Sequence, residues 1–211
     1  ASLDDNFLSF DCSIFPAEAY CNISTTIKDG TLKDVLNKLF IDCKPSKTLS
    51  ALNVDYFKLN NNSIDILRTI SNDLGIIVMF QGNSARLLDD IPTIASDLPN
   101  FVFFVEEDIA SAVTTKAIFR TPLEEHYTGR NTGDTIIVES NILCGDRSKE
   151  ILKKQQFMEQ CVTLEIPYYE NLRQGSYVTL NLNDDTSITA IVTDFIIDYL
   201  NNSMKVTFSR V

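Results

Sequence analysis

Residues 161–211 read CVTLEIPYYENLRQGSYVTLNLNDDTSITAIVTDFIIDYLNNSMKVTFSRV. Val162, Leu164 and Ile166 alternate with Cys161, Thr163 and Glu165. After a turn, Val178, Leu180 and Leu182 alternate with Thr179, Asn181 and Asn183. Ile188, Ala190 and Val192 alternate with Thr189, Ile191 and Thr193, and Met204, Val206 and Phe208 close the stretch. Alternation with period two predicts successive strands with one dry face and one mostly wet face. Asp184-Asp185 is the expected turn between the second and third strands. Glu170 to Ser176 is expected to turn the chain ahead of an edge strand.

Working upstream, Gly145-Asp146 opens a helix whose apolar side is Ile151, Leu152, Phe157 and Met158. Asp146 is its expected cap, and Glu150 precedes Lys153 and Lys154 at a spacing that favours ion pairs on a helix. Thr135–Glu139, Val113–Phe119 and Phe101–Val105 read as strands. Thr121–Asp134 is polar, holds Gly129 and Gly133, and reads as a long, mobile loop. Asp89–Asn100, with Pro92 and Pro99, reads as a linker.

Further back, Thr31 is a helix cap followed by Leu32, Val35, Leu36, Leu39 and Phe40 at three- and four-residue steps, predicting a helix to near Asp42. Lys44-Pro45-Ser46 ends it. Val54–Leu59 alternates as a strand. Asn62 or Ser63 caps a second helix with a stripe of Ile64, Leu67, Ile70 and Leu74, and Gly75 is placed as its C-terminal stop. Ile76–Phe80 and Ala85–Leu88 then form a hairpin around Gln81-Gly82-Asn83-Ser84. Residues 6–26 read as irregular strands with an apolar patch of Phe7, Leu8, Phe10, Ile14 and Phe15, broken by Pro16.

The 211 residues suffice for one good core or two small ones, and a hydrophobic content of 44% is that of an ordinary globular protein. Eighteen basic against 29 acidic residues give a formal charge of −11. So acidic a surface does not grip nucleic acid, whose phosphates demand Lys and Arg. Cys12, Cys21, Cys43, Cys144 and Cys161 are odd in number, widely spaced and without a CxxC pair, which argues against a zinc site and for free thiols in a reducing compartment. No apolar run has the length of a membrane span, and no signal peptide is visible.

No catalytic motif stands out. His126, the only histidine, lies beside Glu124 and Glu125 and reads as a solvated loop residue. Glu106-Glu107-Asp108 and Asp184-Asp185 are acidic clusters, but neighbours on a strand end point to opposite sides and make poor acid–base or calcium pairs. The seven glycines are scattered singly, so no phosphate-binding loop is present. Tyr168-Tyr169 reads as packing beside the turn at Pro167. The residues name no catalytic, cofactor-binding or metal-ligating group, and no cofactor.

Taken together, QCVTLEIPYYENLRQGSYVTLNL after a helix, then a strand pair ending MKVTFSRV, resembles the closing section of phage tail hub and tail-tip proteins. In that family a helix and strand lead into a turn of Leu, Gly and Val that opens a small β-barrel-like unit; the matching positions are Leu172, Gly175 and Val178. The family often places Pro before the Gly and Asp after it, where this chain has Gln174 and Ser176. TLKDVLNKLFIDC and VDYFKLNNNSIDILRTISNDLGIIVMF are similar to the α/β part of those hubs. The resemblance covers residues 25–90 and 135–211.

It implies an α+β fold: antiparallel β-barrel-like units related to tail-tube domains, with a small α/β module inserted. The implied division is N-terminal strands (1–28) packing on the β part, the α/β module (29–90), a linker with strands of the β part (91–145), and a helix plus C-terminal barrel-like unit (146–211). The implied function is non-catalytic and structural, in a virion made in the host cytoplasm. The chain would form a trimer or other ring at the hub or tip, joining the tube to a spike or fibre. Its partners would be itself, other tail proteins, and DNA passing an acidic lumen without specific binding. A binding module of a secretion or envelope assembly, like a secretin N-domain, is the alternative; an enzyme would need a site built on carboxylates alone.

Overall fold

The computed structural model describes residues 15–81, 83–90, 101–106, 109, 111–183 and 186–211, and the backbone of 2–4 and 7–9. The side chains of Phe7 and Leu8, and Phe10, Cys12, Ile14, Gly82, residues 91–100 of the linker, Glu107-Asp108 and Asp184-Asp185 lie outside the residues so described.

In chain order, β1 (Ser2–Asp4) and β2 (Phe7–Ser9) pair antiparallel. A 3-10 turn (Ala17–Tyr20) precedes β3 (Ile23–Thr31), α1 (Leu32–Leu36), β4 (Asp42–Pro45), α2 (Lys47–Ser50), β5 (Asn53–Asn61), α3 (Ser63–Leu74), β6 (Ile77–Gln81) and β7 (Ser84–Leu88). Then come β8 (Val102–Val105), β9 (Thr114–Arg120), β10 (Glu125–Gly129), β11 (Asp134–Glu139) and α4 (Ser148–Glu159). β12 (Cys161–Pro167), β13 (Tyr177–Leu182), β14 (Ser187–Asp198) and β15 (Ser203–Arg210) complete the chain. The fold is α+β, mostly sheet with few helices.

The C-terminal strands build a five-stranded sheet, β12-β15-β14-β13-β8, curled into a half-barrel. Its concave face is the dry one the alternation marked: Val162, Ile166, Val178, Leu180, Ala190, Val192, Met204, Val206 and Phe208 are buried there. Each such side chain is worth about 1.5–3 kcal/mol when fully removed from water. β13 is not an edge, as the turn before it had suggested. β8 adds to it in parallel, with Phe103 opposite Leu180, so among the described residues the edges are β12 and β8. Ile191, on the convex face, is also buried, because Phe157 of α4 covers it together with Ile77 and Met79.

The α/β module differs from its sequence reading mainly at α1. Thr31 and Asp34 form a reciprocal capping box, but the helix lasts five residues. The chain then tightens, Lys38 N–H to Val35 O and Leu39 N–H to Leu36 O, and Ser63 Oγ accepts the Phe40 amide at 3.0 Å. That side-chain bond diverts the backbone so that Asp42–Pro45 can pair in parallel with β7. The expected second helix is α3: Asn62 Oδ1 accepts from Asp65 N–H, and Gly75 ends it at φ 65°. β3 runs through the expected boundary at residue 28 and pairs along its length with β5.

Thr121–Asp134 is not a loop throughout. β10 lies within it, antiparallel to β9, while β11 pairs with β9 in parallel. Its inward residues, His126 and Thr128, are polar, so the alternation lacks the apolar contrast that reveals a strand. Nor does this part pack on the half-barrel: Ala117, Phe119, Ile142 and Cys144 join the core of the α/β module.

α4 holds these parts together. The cap position is Arg147, without a side-chain cap bond, rather than the expected Asp146, which lies one residue earlier and accepts from Ser148 N–H. Buried Arg147 donates Nε–H to Leu74 O at 3.0 Å and reaches Asp89 at 2.5 Å. Lys154 donates to Ser71 O at 2.7 Å. Two cations of α4 thus meet the last carbonyls of α3, where the helix dipole is negative. Lys153 leaves the helix face to pair with Asp90 at 3.0 Å, rather than with Glu150.

The approach of α4 to α3 requires a bare backbone at Gly75, where a Cβ would stand 2.3 Å from the Ile151 nitrogen. Gly75→Ala is therefore expected to cost at least about 2 kcal/mol, from left-handed strain plus a backbone clash. Urea unfolding of the variant against the wild type measures it.

Candidate functional site

The turn at Leu172, Gly175 and Val178 joins α4 and β12 to the rest of the half-barrel. Leu172 and Val178 are fully buried in the concave core. Gly175 sits at φ 86°, a conformation that glycine adopts without steric cost. Its N–H donates to Val192 O at 2.8 Å, and Val192 N–H returns a bond to Ser176 O at 2.9 Å. Arg173 and Ser176 close the turn through Ser176 N–H to Arg173 O and Arg173 N–H to Ser176 Oγ.

Gln174, which the sequence reading named only as a departure from the family's Pro, connects two sheets. Its Oε1 accepts Phe80 N–H from the outer side of β6 at 2.6 Å, and its Nε2 donates to Thr193 O at 2.5 Å. Thr193 lies at the irregularity of β14, between Val192 and Asp194. One amide side chain thus serves both a strand edge and a bulge, which a Pro at this position could not do. The only sequence signal was the departure from the family's Pro.

Beside Gln174 lies a cavity of about 500 Å³, lined by Ile77, Met79, Ile136, Val138, Phe157 and Lys154 among others. Burial draws the Lys154 ammonium down to about 8, against the pull of Asp73. Burial likewise raises Asp73, opposed by the Ser140 hydroxyl at 2.8 Å. Ser71 O, Ser71 Oγ and Asn72 Oδ1, at 2.7, 2.7 and 3.3 Å, occupy the three ammonium protons. Lys154 is therefore a helix-end cap rather than a group aimed at a ligand.

The other residues with possible chemistry remain apart. His126 is on β10 rather than in a loop, and its Nε2 lies 2.8 Å from Glu124. Among the described residues, no three His, Cys, Asp or Glu side chains gather as a metal site. Burial pushes the Cys43 thiol up to about 12 and the Cys144 thiol up to about 11, which removes them as nucleophiles. Tyr168 and Tyr169 part company: Tyr168 meets Tyr199, while Tyr169 stands edge-on to Phe101 and Phe103. No helix among the described residues is long and apolar enough to cross a membrane.

What the surface does offer, among the described residues, is apolar area and strand edges without a further strand partner. β8, at one edge of the half-barrel, exposes Val102 and Phe104, the latter at 81%. At the tip of the β14–β15 hairpin, Ile196, Tyr199 and Leu200 are exposed. That tip is held by Asp198, which accepts from Leu200 N–H, Asn201 N–H and the Asn201 side chain. The arrangement suits protein contact by strand addition and apolar docking.

No protein-family model matches the chain. No curated protein matches it either. Solved structures do. The tail protein from Neisseria meningitidis MC58 superposes with a TM-score of 0.58 at 10% identity, over 92% of this chain and 71% of that one. The 43 kDa tail protein of prophage MuSo2 from Shewanella oneidensis gives 0.49 at 10% identity, over 92% and 68%. At this identity the likeness to the Neisseria protein is one of fold.

Two outcomes are expected. Gln174→Ala leaves the Phe80 amide and the Thr193 carbonyl without their partner and costs about 1–3 kcal/mol in chemical unfolding. For Lys154, the ordinary ammonium value is 10.5 and the folded value about 8. Between these the unfolded chain binds more protons, so the Lys154 contribution to stability rises with pH through that window. Urea unfolding from pH 8 to 10.5 should show wild type gaining on Lys154→Met; parallel curves would contradict this.

Proposed function

We propose that this chain is a non-catalytic structural protein of a phage tail, a component of the virion. The observation that carries the reading is the fold shared with the Neisseria tail protein over 92% of the chain. In this reading the protein forms a ring at the tail hub or tip and joins the tube to a spike or fibre. The half-barrel is the ring-building part, related to the domains of the tail tube. Among the described residues its β12 and β8 edges have no further strand partner; they would continue the sheet into neighbouring copies, and exposed Phe104 would be covered there. Other tail proteins would meet the ring at its two ends. The formal charge of −11 suits a lumen that passes DNA without holding it, since like charges repel phosphate.

Mass in solution, measured by light scattering over a concentration series, tests the ring. A discrete trimer or hexamer is expected, and Phe104→Arg should break it down to monomer at low micromolar concentration with an unchanged circular dichroism spectrum. A strict monomer at every concentration, or a ring indifferent to Phe104→Arg, would remove the proposed edge contact.

A further inference from the structure

The sheet β10-β9-β11 has one covered face and one open one. Ala117 and Phe119 are fully buried on the covered face, where Thr114 is bonded to Glu159 of α4. The open face is ordered in three rows across the strands. In the middle row Tyr127, Ile118 and Ile137 lie side by side, with Tyr127 exposed at 72% and Ile137 at 51%. On one side Lys116 lies between Gly129 and Thr135, its Nζ 5.4 Å from the Tyr127 ring centre. On the other side Arg120 lies between Glu125 and Glu139, at 2.5 and 3.8 Å, so this row keeps one negative charge.

A face with a positive row, an apolar row and a negative row is complementary to itself. We propose that it is a contact between two copies of this chain, stacked face to face about a two-fold axis along the Tyr127–Ile118–Ile137 row. This axis reverses the strand direction. It lays Ile118 over Ile118 of the second copy and Lys116 over that copy's Arg120, between Glu125 and Glu139, so each Lys116 meets a row of net charge −1, twice by symmetry. The charges select this axis. A two-fold along the strands would instead place Lys116 on Lys116 and Glu125 on Glu139. Val113 and Leu123, exposed at 58% and 75%, flank Ile118 at equal distance along the chain, so the selected axis also brings the Val113 end of one copy to the Leu123 end of the other.

Three strands about 4.8 Å apart and five residues rising about 3.4 Å each make a footprint of about 14 by 17 Å. That is well below the about 800 Å² per partner of a stable complex, so the contact is weak and concentration-dependent. It uses neither β8 nor β12 and does not depend on the ring.

Sedimentation equilibrium of Phe104→Arg, in which the ring edge is blunted, tests this contact alone. Dimerisation is expected at high micromolar concentration, weakening with salt. Ile118→Asp should abolish it. Lys116→Glu should weaken it about fivefold or more, the effect of losing two exposed charge contacts. Lys116→Glu with Glu139→Lys exchanges the signs of the two rows and should restore it. A monomer at all concentrations, a dimer indifferent to Ile118→Asp, or a double variant no better than Lys116→Glu would overturn the proposal; circular dichroism confirms that each variant is folded.

Discussion

The seating of α4 on the C-terminal end of α3 is the constraint on which the other contacts rest. A helix end leaves carbonyls with spare acceptor capacity, and here it is met from another helix: Arg147 binds Leu74 O, and Lys154 adds to Ser71 O, which already accepts the Gly75 and Ile76 amides. Both side chains are largely withdrawn from water, so their charges need those carbonyls and the Asp89 carboxylate as much as the carbonyls need them. None of this geometry is reachable if position 75 bears a side chain.

From that seat α4 reaches three ways. Ile151 enters the core of the α/β module. Glu159 accepts the Val113 and Thr114 amides and so starts β9 beside the helix. Phe157 meets Ile77, Met79 and Ile191, which brings β6 against the convex side of the half-barrel. Gln174 ties the same two sheets a short distance away. Among the described residues, the half-barrel and the α/β module are thus joined through α4, the packing of Ile77 and Met79 on Ile191, and the Gln174 amide, while β8 and β12 have no further strand partner.

The strands of the C-terminal half were legible because their apolar residues alternate against polar ones, and α3 because its cap, stripe and Gly75 agree. α1 was misread because Leu39 and Phe40 continue its helical spacing, and only the tertiary bond to Ser63 shows why the helix stops. β10 was hidden because His126 and Thr128 face inward without being apolar. The turn residues Leu172, Gly175 and Val178 could be named from resemblance, but Gln174 could not: its partners, Phe80 and Thr193, are remote in the chain.

The sequence by itself determined the elements with strong periodicity, the wide spacing of the cysteines and the acidic balance, since each of these depends on residue type and local order. Tertiary structure alone decided which strand closes the half-barrel, which lysine caps a helix, and which apolar residues stay outside. β8 joins β13 across most of the C-terminal half of the chain, and Phe104 becomes exposed only because its neighbour Phe103 takes the inward side. Local pattern tells a strand that it has two faces; only the long-range pairing assigns one of them to the core.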